Sequence, residues 1–467
     1  MNNLSPWLYE LPERVDKPIL TSDLEADMVI VGAGVSGLTS AYQILTQTNR
    51  SVTLIDASRI CHGATGHNAG QLVAEFEMSY KELTRRYGTF MAKEAEEALE
   101  SSWDILKDLL KKTELAVSPH LFMGANGYGT EEDLYDVLEE NALRKQTGLT
   151  PTDVYVIPSV YNAPHFPRAY KNLVHEMSRS DIESMLDARE SAFIAVELKQ
   201  KGVLNSALFG EKLCEWLEQN YSERFQIYEH TPVTKVILNR AQQKLIIKDF
   251  TITCTDVILC TNGFEHFTIE EQGGDIVDRK LHHNVAGVIG FMGAVHHPTN
   301  KPPMAYGYYN SSIASDDEMS DELAALKLET HAWEAFKEDP YIYVTKRPFI
   351  YEGAAGNLTC IGGPERKLAD TRAYDEDRQM APQFYSLIDR IKTDILHINE
   401  KLDFNWHGLM GFTPTSIRIV GPETRNKHLW YNLGCNGVGI MPAMYGSWKL
   451  AQMLNGKHFS PSVFDPQ

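Results

Sequence analysis

The sequence predicts an α/β fold. Three features carry the prediction: a glycine-rich strand–turn–helix–strand unit at residues 28–56, a second glycine-rich helix start at 434–442, and short strands of alternating polarity between them. Residues 28–31 are a short apolar run that ends at Gly32, and Gly32, Gly34 and Gly37 then give the spacing G-x-G-x-x-G. The first glycine permits a tight turn, the second lets a pyrophosphate approach bare backbone, and the third lets the helix pack closely on the strand. The helix carries Leu38, Ala41, Tyr42 and Leu45 on one stripe, the spacing of a core-facing surface. Its first residues, Val35 and Ser36, offer N–H groups and the positive dipole end to a phosphate. Residues 51–55 read as a second strand, with Asp56 at its end and Ala57 and Ser58 beyond. A carboxylate there accepts hydrogen bonds from ribose hydroxyls and repels a 2′-phosphate.

The 467 residues suffice for two or three domains, or two large interleaved ones. Apolar content of 43 % and charged content of 23 % are ordinary for a globular protein. A formal net charge of −19 argues against a nucleic-acid partner and against docking on an anionic membrane. No stretch approaches the length of a membrane span, and the first residues lack the basic and apolar regions of a signal peptide. The six cysteines, at 61, 214, 254, 260, 360 and 435, make no C-x-x-C pair and read as reduced thiols of a cytoplasmic protein.

Along the chain, residues 1–26 read as an arm anchored by Trp7, Leu8, Tyr9 and Leu11. Residues 59–75 are a glycine-rich loop running into a strand. Residues 81–112 are helical, with Ala95, Leu99, Leu106 and Leu109 on the apolar face. Residues 131–200 look mostly helical, with a surface excursion at 151–167. An amphipathic helix at 204–219 precedes a strand at 225–228 and a hairpin of 235–238 with 244–247. A buried strand at 255–260 runs into Thr261, Asn262 and Gly263. Residues 283–294 read as a strand and 311–330 as an acidic, solvated excursion. Residues 341–347 alternate with period two, which puts Tyr341, Tyr343, Thr345 and Arg347 on one face. The last block turns at Gly434, Gly437 and Gly439 into a helix at 443–454, a turn suited to holding developing negative charge.

In order, these blocks resemble the D-amino-acid-oxidase-like superfamily of FAD-dependent oxidoreductases, which includes glycine oxidase, sarcosine oxidase, dimethylglycine dehydrogenase and γ-glutamylputrescine oxidase. Four motifs carry the resemblance. The first is the dinucleotide fingerprint. The second, HGATGHNAGQL at 62–72, is similar to the family's G-A-S-G-R-N-G-G segment beside the flavin. The third, TPVTKV at 231–236 with VILCTNGF at 257–264, is similar to the strand and A-T-N-A-like turn that bring the chain back to FAD. The fourth, WHGLMGFTPTSIRIVGP at 406–422 with LGCNGVGIMPA at 433–443, is similar to the pair W-x-G-x-x-x-x-T-P-D-x-x-P-x-I-G and G-x-x-G-x-G-x-x-x-x-P.

The resemblance implies a Rossmann-like FAD-binding domain (27–90, 200–275 and 350–467) interleaved with an antiparallel-sheet substrate domain (91–199 and 276–349). FAD is the implied cofactor. Its implied contacts are the fingerprint with Asp56, Ala57 and Ser58; Ala64, Thr65, His67, Asn68, Ala69, Gly70 and Gln71; Val233, Thr261, Asn262 and Gly263; and Gly408, Gly437, Val438, Gly439 and Ile440. The implied reaction oxidises the C–N bond of a small amine or amino acid by hydride transfer to the flavin, giving an imine that water hydrolyses. The amine must be neutral to release hydride, so the site should disfavour the ammonium form by burial. No protein acid or base is strictly required, so no catalytic residue is named. Electrons pass to oxygen or to another acceptor; an amine dehydrogenase and a non-catalytic flavin-binding subunit are the alternatives.

Tyr341, Tyr343 and Arg347 are the candidate substrate residues, as two aromatic walls and a fixed cation for a carboxylate, against the alternative of core tyrosines and a surface charge. Two departures from the family pattern matter. His67 stands where many relatives carry arginine; dimethylglycine dehydrogenase bonds its flavin through a histidine in a similar segment, so His67 is a covalent anchor or a hydrogen-bonding neighbour. Gly66 and Asn68 favour the second. Cys360 aligns with the lysine that helps sarcosine oxidase react with oxygen, which puts oxygen use in doubt. His407 lies near the dimethylbenzene end of the flavin or is a satisfied loop histidine. His282 and His283 have no partner at ligand spacing, so no metal is expected.

Overall fold

Two sheets organise the chain. The structure, a computed structural model, describes residues 3–188, 193–309, 341–368, 371, 374–380 and 385–466. The first sheet grows from the fingerprint. Leu24–Val31 pairs in parallel with Val52–Ile55 on one side and Phe250–Leu259 on the other, and its last four residues are fully inside. A parallel strand covered on both faces needs such an unbroken apolar run. Phe225–Tyr228 extends this sheet beyond Val52–Ile55, and Leu429–Leu433 pairs with Phe250–Leu259. The expected hairpin is Lys235–Leu238 with Gln243–Ile247, which continues antiparallel into Phe250–Leu259.

The helix Val35–Gln47 packs against the C-terminal helix Ile440–Leu454. Buried hydroxyls of Thr39 and Ser447, 2.7 Å apart, hold the two together. The C-terminal helix begins at Ile440, three residues earlier than expected. Pro442 then falls in its first turn, where a missing N–H costs nothing.

The second sheet runs in the order Phe404–Phe412, Ala286–His297, Ala354–Leu368, Tyr341–Tyr351, Met304–Tyr309, His120–Tyr128, Ala195–Val203, Asp153–Val156 and Val174–Glu176. It is antiparallel except where Met304–Tyr309 meets His120–Tyr128 and where Asp153–Val156 meets Val174–Glu176. Gln71–Leu72 joins Ala195–Val203, so the 62–72 segment crosses from the first sheet to the second.

Several expectations need correction. Sheet membership does not follow the boundaries at 200 and 350: Ala354–Leu368 and Phe404–Phe412 belong to the second sheet. Residues 151–167 are not a surface excursion. Val154 and Val156 alternate inward from a strand paired with Ala195–Val203, and Val160 and Phe166 join the same core. Among the described residues, 131–200 hold strands as well as helices, at Asp153–Val156, at Val174–Glu176 and from Ala195 on. Residues 311–330 lie outside the described residues.

The arm is anchored by Trp7 and Leu8, both buried, while Tyr9 stays partly exposed against Phe349, Tyr351 and Phe404. All six cysteines are free thiols, five of them buried. Among the described residues, no helix is long and apolar enough to cross a membrane.

Candidate cofactor and substrate site

A cavity of about 380 Å³ is lined by residues of both sheets. Its first wall is the glycine turn. A Cβ on Gly37 would lie 1.9 Å from the Gly32 carbonyl oxygen, so only glycine lets the helix sit this close. Asp56 braces the turn: its carboxylate accepts the Ala33 N–H at 2.7 Å and the Ser58 N–H at 2.9 Å. Burial pushes its pKa up, against those two hydrogen bonds. The Thr65 hydroxyl, from the second motif, accepts the Val35 N–H at 2.9 Å. Ser36 donates to the Asn432 carbonyl at 2.6 Å.

The other motifs converge on the same space. Asn262 accepts the Cys435 N–H at 2.8 Å, which ties the third motif to the C-terminal turn. Asn436 accepts the Thr413 N–H at 2.7 Å within the fourth. Gly408 approaches so closely that a Cβ there would be 2.3 Å from the His67 carbonyl oxygen.

Of the expected cofactor residues, Gly32, Gly34, Val35, Ser36, Asp56, Ser58, Ala64, Thr65, His67, Asn68, Ala69, Gly70 and Gln71 line the cavity. So do Thr261, Asn262, Gly408, Gly437, Val438, Gly439 and Ile440. Four others do not. Gly37 lies under the helix, Ala57 faces outward, Val233 is in the outer core of the first sheet, and Gly263 turns the chain against Val285.

Tyr343 lines the cavity, its ring fitted over Gly362, where a Cβ would come within 2.4 Å of it. Tyr341 is in the same strand, paired with Tyr309, and its side chain lies outside the described residues. Arg347 is not in the lining. Its guanidinium is held by Glu10 at 2.5 Å and lies over the Trp7 ring, so it serves the arm rather than the cavity. Period-two alternation puts it on the face of Tyr343, but the arm covers that end of the strand.

The two ring nitrogens of His67 are each 3.0 Å from a backbone carbonyl oxygen, of Gly63 and of Asn3. His407 is a buried, satisfied histidine outside the lining, with Nδ1 on the Tyr374 hydroxyl at 3.0 Å and Nε2 on the Arg378 carbonyl at 2.8 Å. Cys360 is buried and also outside the lining. Carboxylates do stand beside His282 and His283, contrary to the spacing argument: Glu423 lies 2.9 Å from the first and Glu265 3.8 Å from the second. Among the described residues, the one group with metal-ligand geometry is Asp16, Glu229 and His230, and Arg14 already occupies its Glu229.

Sequence reasoning missed several lining residues, chiefly Glu77, Glu365, Glu376, Met292, Arg418 and Asn432. Signals existed for two of them. Glu75 and Glu77 alternate directly after the 62–72 segment, and Arg418 replaces the second proline of the T-P-D-x-x-P pattern. Glu77 is solvent-accessible and lines the cavity. Desolvation, with Glu75 nearby, raises its pKa to about 7. Desolvation and the charge of Glu77 raise Glu365 to about 8.

The residues fit FAD. A helix N-terminus and glycine turn form one wall, and glycines at 408, 437 and 439 leave space at another. A sequence profile described as FAD dependent oxidoreductase matches residues 27–453. The chain belongs to this family. Its family is that of FAD-dependent oxidoreductases.

Among solved structures, the family member resembles glycine oxidase from Geobacillus kaustophilus, with a TM-score of 0.66, 14 % identity, and 95 % of this chain and 99 % of that one covered. It also resembles NikD, an amino acid oxidase of nikkomycin biosynthesis, with a TM-score of 0.63, 12 % identity and coverage of 95 % and 98 %. Likeness at such identities concerns the fold. A curated relative is gamma-glutamylputrescine oxidoreductase of Escherichia coli, 29 % identical over 96 residues, 21 % of this chain and 22 % of that protein. Another, YhfW of Bacillus subtilis, is named for a Rieske 2Fe-2S centre and is 33 % identical over 98 residues, 21 % of this chain and 19 % of that protein. The matches thus span about a fifth of these two relatives.

Proposed function

We propose that this enzyme oxidises the C–N bond of an amine that carries no carboxylate beside the reacting carbon. One observation carries the reading: the cavity that Tyr343 and Met292 line is also lined by Glu77 and Glu365. These acidic groups can take up an ammonium proton, and they offer no positive charge to a substrate carboxylate. The cation foreseen for a carboxylate, Arg347, is engaged by Glu10.

Bound FAD supplies the hydride acceptor. The protein must deliver the amine in neutral form. A carboxylate with its pKa near neutrality suits that role, because it takes the ammonium proton without holding it too tightly. Glu365 or Glu77 serves as this base, and Tyr343 and Met292 orient the carbon chain. Water then hydrolyses the imine to a carbonyl compound and the released amine.

A second reading concerns the electron acceptor. The resemblance puts Cys360 where sarcosine oxidase carries an oxygen-assisting lysine, and a buried thiol outside the cavity lining supplies no such cation, which supports a dehydrogenase. Anaerobic mixing of the yellow holoenzyme with amines, polyamines and amino acids tests the main reading. Bleaching by amines without an α-carboxylate supports it; bleaching by α-amino acids alone overturns it. Reoxidation rates with and without air decide the acceptor.

A further inference from the structure

We propose that Arg418 is a phosphate-binding residue, the cation that neutralises the FAD pyrophosphate at the start of the Val35–Gln47 helix. Its side chain lines the cavity and is only 6 % exposed. Nη1 donates to the backbone and side-chain oxygens of Asn432 at 3.1 and 3.2 Å, and Nη2 reaches the Gly439 carbonyl at 3.4 Å. Nε has no hydrogen-bond partner. Every acceptor around it is neutral, and its titratable neighbours are the thiols of Cys260 and Cys435. Burial lowers its pKa to about 10, which leaves it charged at neutral pH. A buried guanidinium without a counter-charge is costly, and a fold keeps one where an anion belongs.

The position identifies the anion. The Asn432 carbonyl that accepts from Arg418 also accepts from Ser36, in the first turn of the helix. Cys260, the neighbouring thiol, abuts the glycine turn: a Cβ on Gly32 would lie 2.6 Å from the Cys260 carbonyl oxygen. Cation, Ser36 and helix N-terminus therefore meet at one corner. The helix end supplies only about half a charge, whereas a pyrophosphate diester carries two negative charges. Asp56 and Glu376 line the same cavity, and the chain carries a net charge of −19, so the ligand needs a full positive charge beside it. A planar guanidinium bordering the cavity suits a phosphoryl oxygen.

The test reads binding to apoprotein, not turnover, so it stands apart from the amine proposal. FAD, ADP and riboflavin are titrated into wild type, Arg418→Met and Arg418→Lys, with circular dichroism and melting curves as folding controls. Losing a charge-assisted hydrogen bond should weaken FAD and ADP by about tenfold or more in Arg418→Met. Riboflavin, which has no phosphate, should bind as before. Arg418→Lys should fall between. Unchanged ADP affinity in Arg418→Met overturns the proposal, including the case in which only FAD weakens, since the cation would then face the flavin ring. If Arg418→Met does not fold, Arg418→Lys decides: a selective loss of ADP over riboflavin supports the proposal, and equal binding of ADP to wild type and Arg418→Lys overturns it.

Discussion

Arg347 and Glu10 form a two-pronged ion pair, with Nη1–Oε1 at 3.1 Å and Nη2–Oε2 at 2.5 Å. The guanidinium lies 4.5 Å from the centre of the Trp7 ring, and Trp7 donates to the Asn68 carbonyl of the 62–72 segment. The pair thus clamps the N-terminal arm across the loop that borders the cavity. Arg347→Ala should destabilise the protein by about 3 kcal/mol, because it leaves a half-buried carboxylate unpaired. KM for a carboxylate-free amine should not move. Thermal melts and steady-state kinetics check both; a raised KM with an unchanged melt would return Arg347 to the substrate.

Glu365 should set the acid limb of activity. Its pKa of about 8 means that the carboxylate needed as base forms only as pH rises through that value. Glu365→Gln should lower kcat/KM by roughly 100-fold and remove that limb from the pH profile. A parallel profile with merely reduced height would assign the role to Glu77.

The same group makes the stability of the apoprotein pH-dependent. A carboxyl whose folded pKa is raised binds more protons folded than unfolded, here between its ordinary 4.5 and about 8. Stability therefore falls as pH rises through that window. Glu365→Gln should melt like wild type near pH 4, at the foot of the window, and above it near pH 9, by on the order of 1–2 kcal/mol after solvent screening. Equal melts at both ends would contradict the burial of this charge.

Gly437 makes room for Glu77. At Gly437 φ is +78°, and an added Cβ would lie 2.0 Å from Glu77 Oε1. Gly437→Ala should strain the turn by about 1–3 kcal/mol and push the carboxylate aside. FAD titration should show weaker binding, and the activity limb should shift with the displaced Glu77. Unaltered FAD affinity would separate this turn from the cofactor.

Each ring nitrogen of His67 lies 3.0 Å from a backbone carbonyl oxygen, so a covalent bond to flavin would displace one of these contacts. Acid denaturation should release all flavin, and His67→Ala should still bind it. A fluorescent flavin band at the protein's mass on a denaturing gel would refute this.

The fingerprint was legible because its requirements are local. Gly32, Gly34, Gly37 and Asp56 act within one strand–turn–helix–strand unit, so spacing alone identifies them. The strand at 341–347 was equally legible from its alternation. Its chemistry was not, because alternation gives a face and not what covers it. The arm that claims Arg347 comes from the other end of the chain.

By itself, then, the sequence determined the nucleotide-binding unit, the family and the segments that converge on the cavity. Those depend on backbone geometry, which glycine spacing and apolar periodicity encode nearby. Tertiary structure alone decided the electrostatics of the cavity. Glu77, Glu365 and Arg418 come from three distant segments, and charge acts through space: each acquires its role from burial and from neighbours that lie far away in the chain.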